Sequence, residues 1–139
     1  MPVYERLLVA VDHSEVSPRV IVAAKDLAGL AKGKVWVLHV REREFGRLGL
    51  TPSEPDEEGQ AAVRDGVEAL IQAGVEAEGE VREAVFGHAA REIVNAAREH
   101  DAGAIIMGSR GRSDVAGLVL GSTAHKVIHL TDRPVLVVR

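Results

Sequence analysis

The chain has 139 residues, of which 46% are hydrophobic, and carries a net charge of −4. This size and composition predict one compact domain, residues 1–139, with a substantial core. The slightly acidic balance argues against nucleic acid or a membrane surface as a partner, and the lack of cysteine excludes disulfides, thiolate-ligated zinc and thiol catalysis. No apolar run approaches the roughly 20 residues of a membrane span, so we expect a cytoplasmic protein.

The first part of the sequence predicts a strand, a helix and a second strand. Residues 6–11 form a continuous aliphatic run, typical of a strand buried on both faces of a parallel sheet. Asp12 ends that run, and Ser14 and Ser17 are residue types that cap the start of a helix. A second apolar run predicts a strand over 34–40.

Residues 41–59 show no apolar periodicity and contain prolines, glycines and many charges, so we predict a long loop. A charge run of this kind is usually a solvated surface. Because it follows the carboxyl end of a strand, it is also a candidate lid over a ligand.

Helices and strands alternate through the rest of the chain. The predicted elements are a helix over 61–74, a strand over 75–85, a helix over 87–100, a strand over 102–108, a helix over 122–131 and a strand over 133–139. Helical spacing places Ile71 and Ile128 toward the core. This alternation predicts an α/β fold, in which a parallel sheet is covered by helices on both faces. Ligands of such sheets bind beyond the carboxyl ends of the strands.

One segment at such a strand end combines glycines, hydroxyls and arginines. Its notable residues are Gly108, Arg110, Gly111, Arg112, Gly121, Ser122 and Thr123. Glycines let the backbone turn sharply and approach a ligand, and a helix N-terminus attracts phosphate. The same residues also suit an ordinary strand–helix connection, with Ser122 as the cap. The length of the connection, about a dozen residues, favours a functional loop.

Familiar nucleotide and nucleophile motifs are missing from the sequence. It contains no G-x-x-x-x-G-K-[ST], no G-x-G-x-x-G after the first strand and no G-x-S-x-G. A Walker P-loop, a Rossmann dinucleotide site and a serine nucleophile elbow therefore lack support.

Two other strand ends offer polar groups. The Asp12 carboxylate suits an adenine amino group, a ribose hydroxyl or a water-bridged metal, and equally suits a hydrogen bond to the next backbone N–H groups. Val40 closes the second predicted strand, where its backbone can meet an adenine edge, although its side chain is of the core type.

The six histidines form no convincing catalytic or metal group. His125 and His129 have a spacing that suits a metal ion, but no third ligand has a natural place, so we interpret them as solvated surface. His39 alternates with core residues and is expected to be packed. His13 lies beside Asp12 and faces either the site or solvent.

Four segments resemble the universal stress protein family: LLVAVDHSEVS, VLHV, IIMGSRGRS and VLGSTAHKVIHLTDRPVLVV. They extend over nearly the whole chain in the family's order, and departures fall in 41–58 and at Pro18. The most specific part is the pattern G-x2-G-x9-G-[ST], which Gly108, Gly111, Gly121 and Ser122 match. Members with this pattern belong to the ATP-binding branch.

The resemblance implies a Rossmann-like fold of the adenine nucleotide alpha hydrolase type, with five parallel strands in the order 3-2-1-4-5. It implies binding of ATP, or of AMP or ADP, with Mg²⁺ carried on the phosphates. The implied contacts are Asp12 and Val40 at adenine, Val11 and Met107 nearby, Gly108, Ser109 and Arg110 at the ribose and α-phosphate, and Gly111, Gly121, Ser122 and Thr123 at the phosphates. Arg112 adds positive charge to the same loop.

In that strand order, residues 134–138 form an exposed aliphatic edge. Pairing with a second copy of the chain would cover it, so we expect a homodimer. We predict a nucleotide-dependent regulatory or stress-resistance module. The alternative is a slow ATPase or phosphotransferase, for which no general base is evident.

Overall fold

The chain forms a six-stranded sheet with helices on both faces, in a computed structural model that describes residues 3–12, 17–46, 49–52, 56–110 and 120–139. The strands are β1 (Arg6–Ala10), β2 (Lys34–Gly46), β3 (Gly49–Pro52), β4 (Glu76–Val85), β5 (Ala104–Gly108) and β6 (Val135–Val138). The helices are α1 (Ser17–Ala31), α2 (Asp56–Gln72), α3 (Ala89–Glu99) and α4 (Ser122–Leu130), and a single 3-10 turn covers Val3–Glu5. Within these ranges, no helix is long and apolar enough to cross a membrane.

Five of the strands are parallel and lie in the order β4-β2-β1-β5-β6. This is the order 3-2-1-4-5 that the family resemblance implies, and it is confirmed. β1 lies at the centre, where Val9 has Val37 and Ile106 as its register partners in the neighbouring strands. β3 is short and antiparallel to the end of β2.

The sheet is buried on both faces because the side chains of β1 alternate between two cores. Leu7, Val9 and Val11 pack with α1 and α2, while Leu8 and Ala10 pack with α3 and α4. The prediction of a strand buried on both faces is therefore correct. The predicted inward positions of Ile71 and Ile128 are wrong, since their exposed fractions are 55% and 43%. On each helix the preceding residue is the buried one, and the next side chain is rotated by about 100° toward solvent.

The predicted loop over 41–59 is wrong for its described residues. β2 continues to Gly46, β3 follows, and α2 begins at Asp56. Cross-strand ion pairs stabilise this polar part of β2: Arg41 lies 3.1 Å and Arg43 2.5 Å from the two carboxylate oxygens of Glu83 in β4. The hydrogen bond from Arg43, with the charge of Arg41, lowers the pKa of the Glu83 carboxyl below its usual value.

The position of β3 follows from the register of Arg43. Arg43 has Val85 of β4 as one register partner and Pro52 of β3 as another. A strand residue has one neighbour on each side, so β3 lies on the side of β2 opposite to β4. β1 occupies that same side of β2, next to residues 34–38. β3 therefore lies beyond the carboxyl end of β1.

Arg82 of β4 connects the sheet to α3 through several carboxylates. Its guanidinium hydrogen-bonds Glu80 and Glu99 and lies 3.7 Å from Glu92. The hydrogen bond with Glu99 makes the largest contribution to raising the pKa of Arg82, and the same bond lowers the pKa of the Glu99 carboxyl.

Replacing Arg82 by leucine should lower the free energy of unfolding at pH 7 by about 1–2 kcal/mol, because three carboxylates then lie together without their cation. The pKa of Glu99 in the folded chain lies below the reference value of 4.5. The ionised Glu99 therefore stabilises the folded chain fully above about pH 4.5, and this contribution is lost as the pH falls through its folded pKa. Urea denaturation should show a smaller difference in the free energy of unfolding between the wild type and Arg82→Leu at about pH 3 than at pH 7.

Arg91→Leu is the matched control, since Arg91 is an exposed arginine on α3, the helix that carries Glu92 and Glu99, and has no ion pair among the described residues. An equal loss of stability in both variants, or a difference that persists at acidic pH, would contradict the role given to the Arg82 carboxylate group.

Candidate functional site at the carboxyl edge of the sheet

The strand order reverses between β1 and β5, which makes their carboxyl ends the expected place for a ligand. Val9 and Ile106 are register partners, and the chain continues three residues to Asp12 and two residues to Gly108. Asp12 and Gly108 therefore lie at the same edge of two neighbouring strands. The family resemblance implies a ligand crevice between these two strand ends, which we call the crevice.

Side chains from two other elements hold the end of β1. The Val11 N–H donates to the Leu38 carbonyl at 2.9 Å, which continues the ladder between β1 and β2. At the following peptide group, the Val11 carbonyl accepts from His39 Nδ1 at 2.7 Å, and the Asp12 N–H donates to Ser17 Oγ at 2.9 Å. A carbonyl oxygen only accepts, so His39 Nδ1 carries the hydrogen.

The Asp12 side chain is half-buried and oriented by the start of α1. The Ser17 hydroxyl donates to Asp12 Oδ1 at 2.9 Å while its oxygen accepts the Asp12 N–H. Ser17, predicted as a helix cap, thus bonds backward to the end of β1. A carboxylate held in this way is an oriented acceptor for an amino or hydroxyl group of a ligand.

Val40 does not close β2 as the sequence predicted, because β2 continues for six more residues, to Gly46. Its backbone nevertheless faces the crevice. Successive residues of a parallel strand point their peptide groups to alternate sides. Leu38 bonds to Val11 of the β1 segment, so Val40 also points to the β1 side, beyond the last residue of β1. The Val40 side chain packs against the core under α3 and α4.

Gly121 lies beside the carboxyl end of β5, where it bonds to Ser109. Met107 is buried in the core, and Gly108 pairs with Val138 of β6. The buried Ser109 donates its N–H to the Val138 carbonyl at 2.7 Å, and its own carbonyl accepts the Gly121 N–H at 2.5 Å. The start of α4 is thereby held against the carboxyl end of β5.

The first turn of α4 presents polar groups that suit an anion. Gly121 is the N-cap, and its backbone is extended. Glycine offers no side-chain acceptor to the first N–H groups of the helix. Ser122 is exposed and Thr123 is half-buried at the same turn. N–H groups, the helix dipole and hydroxyls at one place favour a bound phosphate.

The remaining predicted site residues are Arg110, Gly111 and Arg112. Arg110 is exposed at the end of β5. Gly111 and Arg112 lie outside the described residues, as does His13, and they remain predictions.

Three buried polar or charged residues occur in the described part of the chain: His39, Arg41 and Ser109. All three lie toward the carboxyl edge of the sheet. The prediction that His39 is packed is confirmed. Its bond to Val11 was missed, although a histidine between apolar strand residues must be buried and must therefore find a partner.

The other histidines within the described ranges lie away from this edge or on the surface. His125 and His129 are exposed with ring centroids 4.5 Å apart, and no cluster of three or more potential metal ligands occurs among the described residues. His100 stacks on Trp36 at 3.9 Å, beside a cavity of about 200 Å³ at the amino edge of the sheet. Arg6 and Lys34, the first residues of β1 and β2, line that cavity, so it faces away from the crevice.

Several known proteins with similar sequences and structures carry the same family name. The model of the universal stress protein family matches residues 3–139. Universal stress protein YxiE of Bacillus subtilis is 33% identical over 152 aligned positions, which cover 98% of this chain and 99% of that protein.

Solved structures agree with this result. A universal stress protein from Archaeoglobus fulgidus superposes with a TM-score of 0.76 at 29% identity, covering 98% of this chain and 99% of that one. A universal stress protein from the same organism in complex with dAMP has a TM-score of 0.74 at 26% identity, covering 99% of this chain and 100% of that one.

Proposed function

The chain belongs to the universal stress protein family, and from that premise we propose that it binds ATP at the carboxyl edge of its sheet and acts as a nucleotide-dependent regulatory module. One observation carries the proposal most directly. The bond from Gly121 to Ser109 holds an N-terminal helix turn against the end of β5, next to the strand that presents Asp12. The relative in complex with dAMP supports an adenine nucleotide as the ligand class.

Each part of an adenine nucleotide has matching groups along this edge. The Asp12 carboxylate accepts from the adenine amino group, and the backbone of Val40 faces the same space. Gly108, Ser109 and Arg110 follow β5 toward the ribose and α-phosphate. The first turn of α4 then supplies N–H groups and the hydroxyls of Ser122 and Thr123 to the remaining phosphates.

We further propose that Mg²⁺ enters on the phosphates. Mg²⁺ prefers oxygen ligands and keeps several of its waters, so phosphate oxygens and water would hold it without protein ligands. The ion would neutralise part of the phosphate charge next to the helix.

A slow ATPase or phosphotransferase is the alternative function. Phosphoryl transfer needs a positioned nucleophile and a residue that orients it. Asp12, the oriented carboxylate of the crevice, is assigned to the base end of the nucleotide, away from the γ-phosphate. Phosphate release faster than about one turnover per minute, near the low end for a dedicated catalyst, would favour the enzyme.

We also propose that two copies pair through β6. Of the two outer parallel strands, β4 carries alternating charges such as Glu76, Glu78 and Glu80, which discourage pairing, whereas β6 is wholly aliphatic. Its residue Leu136 is 43% exposed. A two-fold axis would bring two such edges together and cover them.

We also propose a cytoplasmic location, since a chain without cysteine suits a reducing compartment.

The unfolding midpoint, measured with ATP, AMP and GTP, each with and without Mg²⁺, tests the proposed ligand. A ligand that binds only the folded state raises the midpoint, by an amount set by its concentration and affinity. We expect the largest rise with ATP and Mg²⁺ and a smaller one with GTP. Equal rises of the midpoint with ATP and GTP would show that the site does not recognise the adenine base.

A further inference from the structure

A single peptide group at the crevice, between Val11 and Asp12, is held on both sides by side chains. Its carbonyl accepts from His39 Nδ1 at 2.7 Å, and its N–H donates to Ser17 Oγ at 2.9 Å. Ser17 also donates to Asp12 Oδ1 at 2.9 Å. We call His39, Ser17 and this peptide group the β1 clamp.

The clamp lies where the sheet ladder stops holding β1. The Val11 N–H still bonds to the Leu38 carbonyl, but the strand itself ends at Ala10. The next peptide group joins Val11 to Asp12. Side chains from two different elements, β2 and α1, take over its hydrogen bonds at this place.

The imidazole of His39 is a costly group to bury there. Its exposed fraction is 3%, and the Val11 residue to which it bonds is 6% exposed. An apolar side chain at this position would pack in the core without needing a partner, whereas a buried imidazole must be hydrogen-bonded. The bond it makes restrains one rotation of the backbone, that of the peptide leading into Asp12.

We propose that His39 and Ser17 are positioning residues for the nucleotide base. They hold the Val11–Asp12 peptide plane, and Ser17 also holds one oxygen of the carboxylate, so that Asp12 points at the amino group of adenine. This inference rests on the proposed function and deepens it by naming the groups that set base recognition. The phosphate contacts at α4 do not depend on the clamp.

The expected effect of breaking the clamp is a selective loss of base recognition. His39→Leu and Ser17→Ala should each weaken ATP binding by about tenfold, the usual consequence of losing a hydrogen bond to a buried or charged group. Inorganic tripolyphosphate, which has no base, should bind all variants with affinities within about twofold of the wild type. The ratio of ATP to GTP affinity should fall in both variants.

Conservative variants separate positioning from packing. His39→Asn places an amide N–H near the position of Nδ1, and Ser17→Thr keeps the hydroxyl. Both should restore most of the ATP affinity that His39→Leu and Ser17→Ala lose. Calorimetric titration of the full chain, with urea denaturation of each variant, supplies all of these values.

The outcomes of this experiment are distinct. A wild type that binds neither ATP nor GTP would overturn the proposed function and the clamp together. A wild type that prefers ATP, with folded His39→Leu or Ser17→Ala variants that bind it equally well, would overturn the clamp alone. Parallel losses of ATP and tripolyphosphate would also overturn it, because they would show a general structural role. If His39→Leu does not fold, the Ser17 pair decides the question.

Discussion

Gly121→Val is expected to weaken ATP binding by about a hundredfold while the chain still folds. Gly121 is the N-cap of α4, and its N–H bonds to the Ser109 carbonyl at 2.5 Å. Its φ of −73° and ψ of 165° are values that valine adopts readily, so the backbone can keep its course. We expect the branched side chain to occupy the space through which a phosphate would approach the first turn of the helix.

Gly29→Val is the matched control for this experiment. Gly29 is exposed in α1, and a Cβ added to it would meet nothing within 4 Å. The control should bind ATP like the wild type, and urea denaturation should show both variants folded. A folded Gly121→Val variant with unchanged ATP affinity would show that the glycine-rich segment does not hold the phosphates.

The second large effect is expected at β6, where Leu136→Glu should convert the proposed homodimer into a monomer. Leu136 is 43% exposed on a strand whose sequence is wholly aliphatic and whose pairing partner in the chain is β5. In a two-fold dimer through β6, the new carboxylate of each copy would lie at the interface and be removed from water. Burying an unpaired charge in this way costs several kcal/mol, so the dissociation constant should rise by more than about a hundredfold.

Sedimentation equilibrium over a range of protein concentrations measures this change. Leu30→Glu is the matched control, because Leu30 is an 86% exposed leucine on α1 and not on β6. The control should remain dimeric. A dimer that persists unchanged in Leu136→Glu would place the interface elsewhere on the molecule.

Apolar patterning was sufficient to predict most of the fold. The aliphatic runs at 6–11 and 102–108 correspond to β1 and β5, and the alternation with helices predicted the α/β class. The order of the strands came from the family resemblance, since periodicity does not say which strands are neighbours. The extension of β2 was missed because Arg41 and Arg43 resemble loop residues until Glu83, some 40 positions later, pairs with them.

In the candidate site, too, local features were predicted from the sequence and long-range contacts were not. Asp12, Gly108 and Gly121 were predicted because glycines, a carboxylate and a helix start have local signatures in the sequence. The bond from Gly121 to Ser109 and the β1 clamp depend on the register of distant segments, and local composition carries no information about that register. The core position of His39 was predicted, whereas its partner became evident only in the folded chain.

Calorimetric titration of the wild-type chain with ATP in the presence of Mg²⁺ tests the proposed nucleotide site most directly. We predict saturable binding of about one ATP per chain, with an affinity tight enough to measure at micromolar to millimolar nucleotide. GTP should bind more weakly under the same conditions. If millimolar ATP produces neither heat of binding nor a rise in the unfolding midpoint, the carboxyl edge of this sheet is not a nucleotide site.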